Sequence, residues 1–189
     1  MGIKRFLLLV LALVFALCDL AAAPASAATY DRPYYIELDL TNQIVTIYNT
    51  KDKSIARQML CSAGMNDATI TGVWYMPERQ NSMERKEWYY FRFFRCYAKW
   101  ATRYYYNYFF HSITFNDNRN DAMNAKAAAQ FGVPASHGCV RLRVEDAEFI
   151  AKNCLTGTRV EVYKSGVKDE DLRQLLYISS YTGEDGMSY

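Results

Sequence analysis

The chain has 189 residues, a formal net charge of +2 at neutral pH and 51% hydrophobic residues. This length fits one domain of ordinary size with a substantial core. The nearly balanced charge lacks the basic excess that a nucleic-acid partner requires, so we predict no nucleic-acid binding.

The first 27 residues have the three-part layout of a secretory signal peptide. A positively charged start precedes an apolar run from Phe6 to Leu17, and small residues follow up to the expected cleavage site after Ala27. The run is shorter than the roughly 20 residues that cross a bilayer. The pattern predicts secretion to the cell envelope, either periplasm or cell wall, without a stable membrane span after processing. A lipoprotein anchored through Cys18 is the alternative.

Four of the five cysteines lie beyond the predicted signal peptide, and they are Cys61, Cys96, Cys139 and Cys154. An exported chain reaches a compartment that permits disulfides, so one or two structural bridges are possible. If Cys139 is a working thiol, at most one bridge remains, and Cys61 with Cys96 is the pair we predict. No pair has the C-x-x-C spacing of a zinc or redox site. We therefore predict neither a metal nor a cofactor.

The segment after the signal peptide alternates apolar and polar residues, which is typical of half-buried strands. The alternating apolar positions are Ile36, Leu38, Leu40, Val45 and Ile47. Turn residues at positions 41–42 and 51–53 separate the strands, so the pattern predicts a β-meander. A further strand is predicted through Val73 and Trp74.

Residues 87–112 are dense in aromatic side chains, with basic residues between them. Aromatic residues favour the pleated, half-buried surface of a sheet. Most of these positions are therefore predicted to be strand and core, and others to form an exposed wall over a cleft.

Two helices are predicted in the second half of the chain. Asn120 or Asp121 can cap the first helix, which is alanine-rich and ends at Gly132. The second runs from Val144 to Leu155, and its apolar residues fall on one face together with Cys154. Cys154 is therefore predicted to be buried.

A final strand is predicted at Thr158 to Tyr163, after a glycine that ends the second helix. The tail from Lys164 to Tyr189 is polar, and it either folds over the domain or frays. Strands thus dominate the pattern, which predicts a mainly β domain.

Both histidines of the chain, His111 and His137, lie in the segment that contains Cys139. A cysteine nucleophile reacts as its thiolate, so its pKa must be lowered by an imidazolium or by backbone dipoles. Histidine is the usual proton acceptor for such a thiol. From these residues alone, a cysteine enzyme and a surface histidine beside a disulfide cysteine are equally consistent with the pattern.

Two neighbours of Cys139 add to the enzyme interpretation. Gly138 allows a tight turn whose N–H groups can form an oxyanion hole, although it can equally be an ordinary turn glycine. Arg141 can hold a substrate carboxylate with two hydrogen bonds. It can equally pair with Glu145 or Asp146 at the start of the second helix.

The run Ser136-His137-Gly138-Cys139-Val140-Arg141-Leu142, with His111-Ser112 upstream, resembles the active-site signature of the L,D-transpeptidase catalytic domain, the YkuD-type family. Ile36 to Tyr48 resembles the opening hairpin of that family. Thr69 to Gly72 resembles its T-P-T-G turn, and Thr158 to Lys164 resembles its closing strand. The resemblance covers roughly residues 34–164.

The resemblance implies a mainly β fold of curved sheets forming a sandwich or flattened barrel with one or two short helices. The implied organisation is a signal peptide at residues 1–27, the catalytic domain at residues 28–164 and a C-terminal tail at residues 165–189. A flap over the catalytic cleft is expected within Met76 to Arg103.

Residue by residue, the resemblance implies that Cys139 is the nucleophile and His111 the general base. Ser112 would orient His111 through its backbone carbonyl, and His137 would shape the loop and support charge. Gly138 and Cys139 would donate the oxyanion N–H groups. Arg141 and Ser136 are the expected substrate-binding residues.

The implied reaction joins peptidoglycan stem peptides through a cysteine thioester, with release of D-alanine. The expected partners are donor and acceptor stem peptides and, as inhibitors, carbapenems. An L,D-carboxypeptidase acting on the same substrate and a non-catalytic wall-binding protein are the alternatives. Two features depart from the family pattern: 24 residues separate His111 from Ser136, and Ser112 stands where glycine is frequent.

Overall fold

The computed structural model describes residues 32–179. The predicted signal peptide and the end of the predicted tail lie outside the described residues. The strands are β1 (Tyr34–Asp39), β2 (Ile44–Asn49), β3 (Ile55–Leu60), β4 (Gly72–Tyr75), β5 (Tyr89–Phe91), β6 (Cys96–Ala98), β7 (Thr102–Tyr105), β8 (Tyr108–Ser112), β9 (Val140–Leu142) and β10 (Arg159–Tyr163). The helices are α1 (Ala125–Ala129), α2 (Val144–Asn153) and α3 (Glu170–Ser179).

The predicted β-meander is confirmed. Strands β1, β2 and β3 are joined in order by antiparallel pairing. The register places Ile36 opposite Ile47 and Leu38 opposite Val45, and all four side chains are fully buried. The alternation in the sequence therefore follows the buried face of the sheet, because successive side chains of a strand point to opposite faces.

The meander belongs to a five-stranded sheet with the order β3-β2-β1-β10-β4. β10 runs parallel to β1 and antiparallel to β4. Val160 and Val162 lie opposite Ile36 and Leu38, so they extend the same buried face. The last strand of the domain is thus central to the sheet.

A second sheet, with the strand order β7-β8-β9, carries His111 and Arg141 and leads directly from Cys139. β8 and β9 are parallel neighbours, and the segment between them, which contains α1, makes the crossover. The register places His111 on β8 beside Arg141 on β9. Because Cys139 immediately precedes β9, the crossover brings the two halves of the sequence motif together.

The two sheets and α2 share one hydrophobic core, to which Tyr104 and Phe110 contribute the largest side chains of the second sheet. Cys154 is fully buried, as predicted. Within residues 32–179 each sheet is open and has two edge strands. The mainly β fold is therefore confirmed as packed open sheets and not as a closed barrel.

The aromatic segment adopts both of its predicted roles. Tyr104 and Phe110 are core residues, whereas Phe93, Phe94 and Tyr106 are exposed. Phe93 and Phe94 lie in the turn between β5 and β6, which pair as a separate two-stranded hairpin. We call residues 89–98 the aromatic hairpin.

The predicted ends of both helices are partly wrong. α1 is capped by Asn124, whose side chain accepts a hydrogen bond from the N–H of Ala127, and not by Asn120 or Asp121. Residues before Asn124 are instead held by bridges of Phe115 to Tyr97 and Met123. α2 ends at Asn153, and Leu155 is exposed rather than on the buried face.

Residues 32–179 contain three short α-helices where one or two were expected. The additional helix, α3, is capped by Asp169, which accepts from the N–H of Leu172 at 2.9 Å. The Arg173 guanidinium donates to the carbonyl of Gly132 at 3.0 Å and to the carbonyl of Asn42. The described part of the tail therefore lies against the domain. No helix in residues 32–179 is long and apolar enough to cross a membrane.

Candidate active site

A cavity of about 840 Å³ lies between the second sheet and the aromatic hairpin. Its lining includes every residue that the sequence predicted for the site except Ser112, namely His111, Ser136, His137, Gly138, Cys139 and Arg141. The volume falls in the range of roughly 300–1,000 Å³ that is usual for ligand pockets.

His111 is 4% exposed, and its Nδ1 lies 2.6 Å from the carbonyl oxygen of Ser112. A carbonyl oxygen can only accept, so Nδ1 carries the proton and Nε2 is the basic nitrogen. Burial lowers the pKa of His111 to about 4, although the Ser112 carbonyl opposes this shift and Arg141 adds to it. The imidazole is therefore neutral at physiological pH and free to accept a proton.

This low pKa gives an expectation for the pH dependence of acyl transfer to Cys139. Acetylation by p-nitrophenyl acetate should stay constant from pH 8 down to about pH 5 and fall to half near pH 4, because the imidazolium that forms below the pKa cannot accept a proton. An unperturbed histidine would give a midpoint near pH 6.5. Intact-mass spectrometry measures the rate, and circular dichroism checks that the fold persists. A midpoint above pH 6 would contradict the assignment.

Cys139 precedes β9 with its side chain partly exposed to the cavity. Burial raises the pKa of its thiol to about 11, against the lowering effects of a backbone hydrogen bond from Phe109 and of the Arg141 charge. The expectation that the resting thiol has a lowered pKa is therefore wrong, because desolvation outweighs the nearby positive charge. The resting site holds a neutral thiol and a neutral imidazole.

The loop before Cys139 is held by its own hydrogen bonds. The Ser136 hydroxyl donates to the Cys139 carbonyl at 2.5 Å and accepts from the Gly138 N–H at 3.0 Å. Ser136 was expected to bind substrate, but its hydroxyl is engaged by the loop in both directions. Gly138 was expected to donate to the oxyanion, but its N–H is engaged as well. Of the two expected donors, only the N–H of Cys139 has no acceptor in residues 32–179.

Gly138 is required by its backbone conformation. Its φ of +133° is one that side-chain-bearing residues rarely adopt, and a Cβ there would lie 3.0 Å from the carbonyl oxygen of Ala68. Glycine therefore allows the loop to pack closely on residues 68–69.

Arg141 lies half-buried in the cavity wall and makes no ion pair within the described part of the chain. Its Nε is buried without a hydrogen-bond partner among those residues. The alternative pairing of Arg141 with Glu145 or Asp146 is not formed in the described residues, and Asp146 binds Arg57 at 2.6 Å instead. Arg141 thus presents an uncompensated positive charge beside Cys139.

The other charged residues of the cavity wall are also arginines. They are Arg92 and Arg103, and no carboxylate is among the lining residues in positions 32–179. Arg103 is neutralised by Glu84 at 2.7 Å, and both side chains are buried. A cavity with this charge distribution favours an anionic ligand.

His137 is exposed, and its ring stacks on Phe94 of the aromatic hairpin with a centroid distance of 4.9 Å and an interplanar angle of 23°. Phe91 of the same hairpin has its ring centroid 4.9 Å from that of His111. The hairpin therefore contacts both histidines and covers part of the cavity. It lies within the segment in which the flap was expected.

The predicted disulfide between Cys61 and Cys96 is wrong, since all four cysteines in the described residues are free thiols. Cys61 follows β3 and is fully buried in the core. Cys96 begins β6 and lines the cavity. Cys61 therefore lies beside the five-stranded sheet and Cys96 lies in the aromatic hairpin, and the number of cysteines does not predict this separation.

Three residues that contact the site were not selected from the sequence. Thr69 is 2% exposed and donates its hydroxyl hydrogen to the carbonyl of Gly138 at 2.7 Å. Glu84 binds Arg103, which donates to the Tyr106 carbonyl and to the Asn107 side chain, and the carbonyl of Asn107 lies 3.8 Å from the Cys139 sulfur. The threonine belongs to the T-I-T-G segment, which was a usable signal, whereas no motif marks Glu84.

Comparison with family models matches residues 33–162 to YkuD, the L,D-transpeptidase catalytic domain. A comparison with curated proteins found no match. Solved structures similar to this chain include a fused Zn-dependent amidase/peptidase/peptidoglycan-binding domain-containing protein from Clostridium acetobutylicum. That structure has 27% identity and a TM-score of 0.51, and the match covers 69% of this chain and 52% of that one.

Two further similar structures are those of L,D-transpeptidases. An L,D-transpeptidase from Mycobacterium smegmatis has 17% identity and a TM-score of 0.53, with 69% of this chain and 58% of that one covered. An L,D-transpeptidase in complex with imipenem has 17% identity and a TM-score of 0.53, with coverages of 69% and 59%. At this identity the likeness shows the fold. The chain spans between 52% and 59% of the length of these three structures.

Proposed function

The chain belongs to the YkuD family of L,D-transpeptidase catalytic domains, and on that basis we propose that it cross-links peptidoglycan stem peptides through a thioester on Cys139. The observation that carries this proposal is that Cys139 and the neutral His111 line one cavity whose charged side chains are all arginines. We propose a location in the cell envelope, where peptidoglycan lies, reached through a signal peptide at residues 1–27.

In the first half-reaction, the sulfur of Cys139 attacks the carbonyl carbon at the L-centre of diaminopimelate in a donor tetrapeptide. Nε2 of His111 takes the thiol proton, and the N–H of Cys139 binds the oxyanion. The C–N bond to D-alanine then breaks. The proton passes from His111 to the leaving amine, and the donor stem remains as a thioester.

In the second half-reaction, an amine of an acceptor stem attacks the thioester. Its proton passes to His111 and then to the departing sulfur, which restores the thiol. The Ser112 carbonyl keeps the same imidazole nitrogen available in both steps, because it fixes the tautomer through Nδ1. Water in place of the amine would make the chain an L,D-carboxypeptidase.

The uncompensated charge of Arg141 supports a role in binding a carboxylate of the donor stem. Replacing Arg141 with glutamine should raise KM for the tetrapeptide about 10- to 100-fold with kcat changed only a few-fold, since a hydrogen bond to a charged group contributes about 1.5–3 kcal/mol. Steady-state kinetics of D-alanine release measures both constants. Arg92→Gln, on the exposed hairpin turn, is the matched control with a smaller expected effect. An unchanged KM for Arg141→Gln would refute this role.

Incubation of the purified protein with disaccharide tetrapeptide tests the proposed reaction. We expect D-alanine release together with a cross-linked dimer, and neither product with Cys139→Ala. Monomeric tripeptide as the only product would identify a carboxypeptidase. A folded wild-type protein that binds peptidoglycan without any turnover would instead be a non-catalytic wall-binding protein.

Carbapenem labelling tests the same site without a peptide substrate. The similar transpeptidase structure that contains imipenem supports this choice of probe. We expect one imipenem adduct in the intact mass of the wild type and none with Cys139→Ala. Absence of both the adduct and D-alanine release from folded protein would refute the proposed function.

A further inference from the structure

Thr69 links two segments that are 69 residues apart in sequence. Its hydroxyl accepts from the N–H of Gly64 at 2.7 Å and donates to the carbonyl of Gly138 at 2.7 Å. The side chain is 2% exposed, so water does not compete for either bond. Both hydrogen-bonding directions of this buried hydroxyl are therefore satisfied, and one of them ends on the nucleophile loop.

The carbonyl of Gly138 and the N–H of Cys139 belong to the same peptide unit. In a planar trans peptide these two groups point in opposite directions. A hydroxyl that holds the carbonyl on one side therefore directs the N–H to the other side. The close packing of Gly138 on Ala68, where a Cβ would lie only 3.0 Å from the Ala68 carbonyl oxygen, keeps this peptide near Thr69.

The N–H of Cys139 has no acceptor among residues 32–179, whereas the preceding N–H is bound to Ser136. A backbone donor that is already oriented stabilises developing negative charge without reorganisation during the reaction. The orientation of this one donor thus depends on a side chain that does not itself line the cavity.

We infer that Thr69 is a positioning residue for the oxyanion hole. Its hydroxyl fixes the orientation of the Gly138–Cys139 peptide, so that the Cys139 N–H faces the reacting carbonyl oxygen. The inference rests on the acyl transfer at Cys139 proposed above. Thr69, in the T-I-T-G segment, would therefore raise the rate of acylation and leave substrate affinity unchanged.

Two reagents that attack the same sulfur separate this role from a structural one. p-Nitrophenyl acetate transfers its acetyl group to Cys139 through an oxyanion intermediate, with p-nitrophenolate as the leaving group. Iodoacetamide alkylates the same sulfur by displacing iodide from a saturated carbon, and no oxyanion forms. Intact-mass spectrometry measures both rates for the wild type, Thr69→Val and Thr69→Ser, with Cys139→Ala as the background.

Thr69→Val should slow acetylation about a hundredfold, the lower end of the loss for one oxyanion donor, with alkylation changed by no more than about twofold. Thr69→Ser keeps the hydroxyl and should retain acetylation within a few-fold of the wild type. The matched control is Thr102→Val, which removes a fully buried hydroxyl that donates to the carbonyl of Trp100, outside the nucleophile loop. This control should leave the ratio of the two rates unchanged.

Equal ratios of acetylation to alkylation in Thr69→Val and the wild type would overturn the inference, as would a parallel fall of both rates. If the added methyl group of valine prevents folding, Thr69→Ala removes the hydroxyl without that group, and the same outcomes apply. A selective loss of acetylation in a protein that does not convert tetrapeptide would uphold the inference and refute the proposed function.

Discussion

Replacing His111 with glutamine is expected to slow acylation of Cys139 by imipenem about 10³-fold at pH 7. With a thiol pKa of about 11, only about one Cys139 in 10⁴ is a thiolate at that pH. The wild type does not depend on this small fraction, because the neutral imidazole removes the thiol proton as the sulfur attacks. Without the base, only the thiolate reacts.

The pH dependence distinguishes loss of a base from loss of structure. In His111→Gln the residual rate should rise about tenfold per pH unit between pH 7 and 10, whereas the wild-type rate stays nearly constant. His137→Gln is the matched control, since His137 is exposed and stacks on Phe94. It should lose no more than about tenfold. Comparable losses in the two variants, or a residual rate independent of pH, would count against His111 as the base.

Glu84→Gln is expected to lower the free energy of unfolding by about 3 kcal/mol, because removing one charge of a buried ion pair leaves the other without compensation. Glu84 and Arg103 are 1% and 6% exposed. The guanidinium donates to one carboxylate oxygen from Nε at 3.0 Å and from Nη2 at 2.7 Å. Arg103 also donates to Asn107 at 3.1 Å, so the loss should extend to the loop beside Cys139.

Denaturant unfolding measures this effect, and a second ion pair in the chain provides the control. Arg159 and Glu161 are also 2.7 Å apart, but both side chains are 36% exposed. Glu161→Gln should change the free energy of unfolding by less than about 0.5 kcal/mol, since solvent screens exposed pairs. Equal effects of the two substitutions would show that burial does not determine the contribution of the Glu84 pair.

The fold could be predicted where the alternation of apolar and polar residues in the sequence matches the buried and exposed faces of a strand. In β1 and β2 four apolar residues alternate with the pleat, and the structure buries them on one face: Ile36, Leu38, Val45 and Ile47. The helix ends could not be placed as well, because Asn120, Asp121 and Asn124 are all suitable caps by residue type. Pairing of Phe115 with Met123, which local sequence does not reveal, leaves only Asn124 at the helix start.

α3 shows a signal that was present but not used. Asp169 precedes the acidic residues Glu170 and Asp171, which is typical of a helix start, and leucines follow at helical spacing. Because the tail is polar overall, no helix was predicted there. Contacts of Arg173 with the domain then add the tertiary stabilisation that a short helix needs.

The sequence predicted those residues of the candidate site that belong to the family motif. Cys139, His111 and Arg141 were selected from their residue types together with the resemblance to the family signature, and all three line the cavity. The high pKa of the thiol was not predictable, because it depends on burial, which spacing does not report. Thr69 and Glu84 act through partners that are 69 and 19 residues away, so only the folded chain reveals them.

The parallel pairing of β1 with β10 has a consequence for the order of folding. β10 links the meander to β4, so the five-stranded sheet cannot be completed before Tyr163 is available. Contacts between residues so far apart in sequence require the loss of much chain entropy before they return any packing energy. A chain that emerges gradually, from a ribosome or from an export channel, therefore cannot complete this sheet until its last strand has been released.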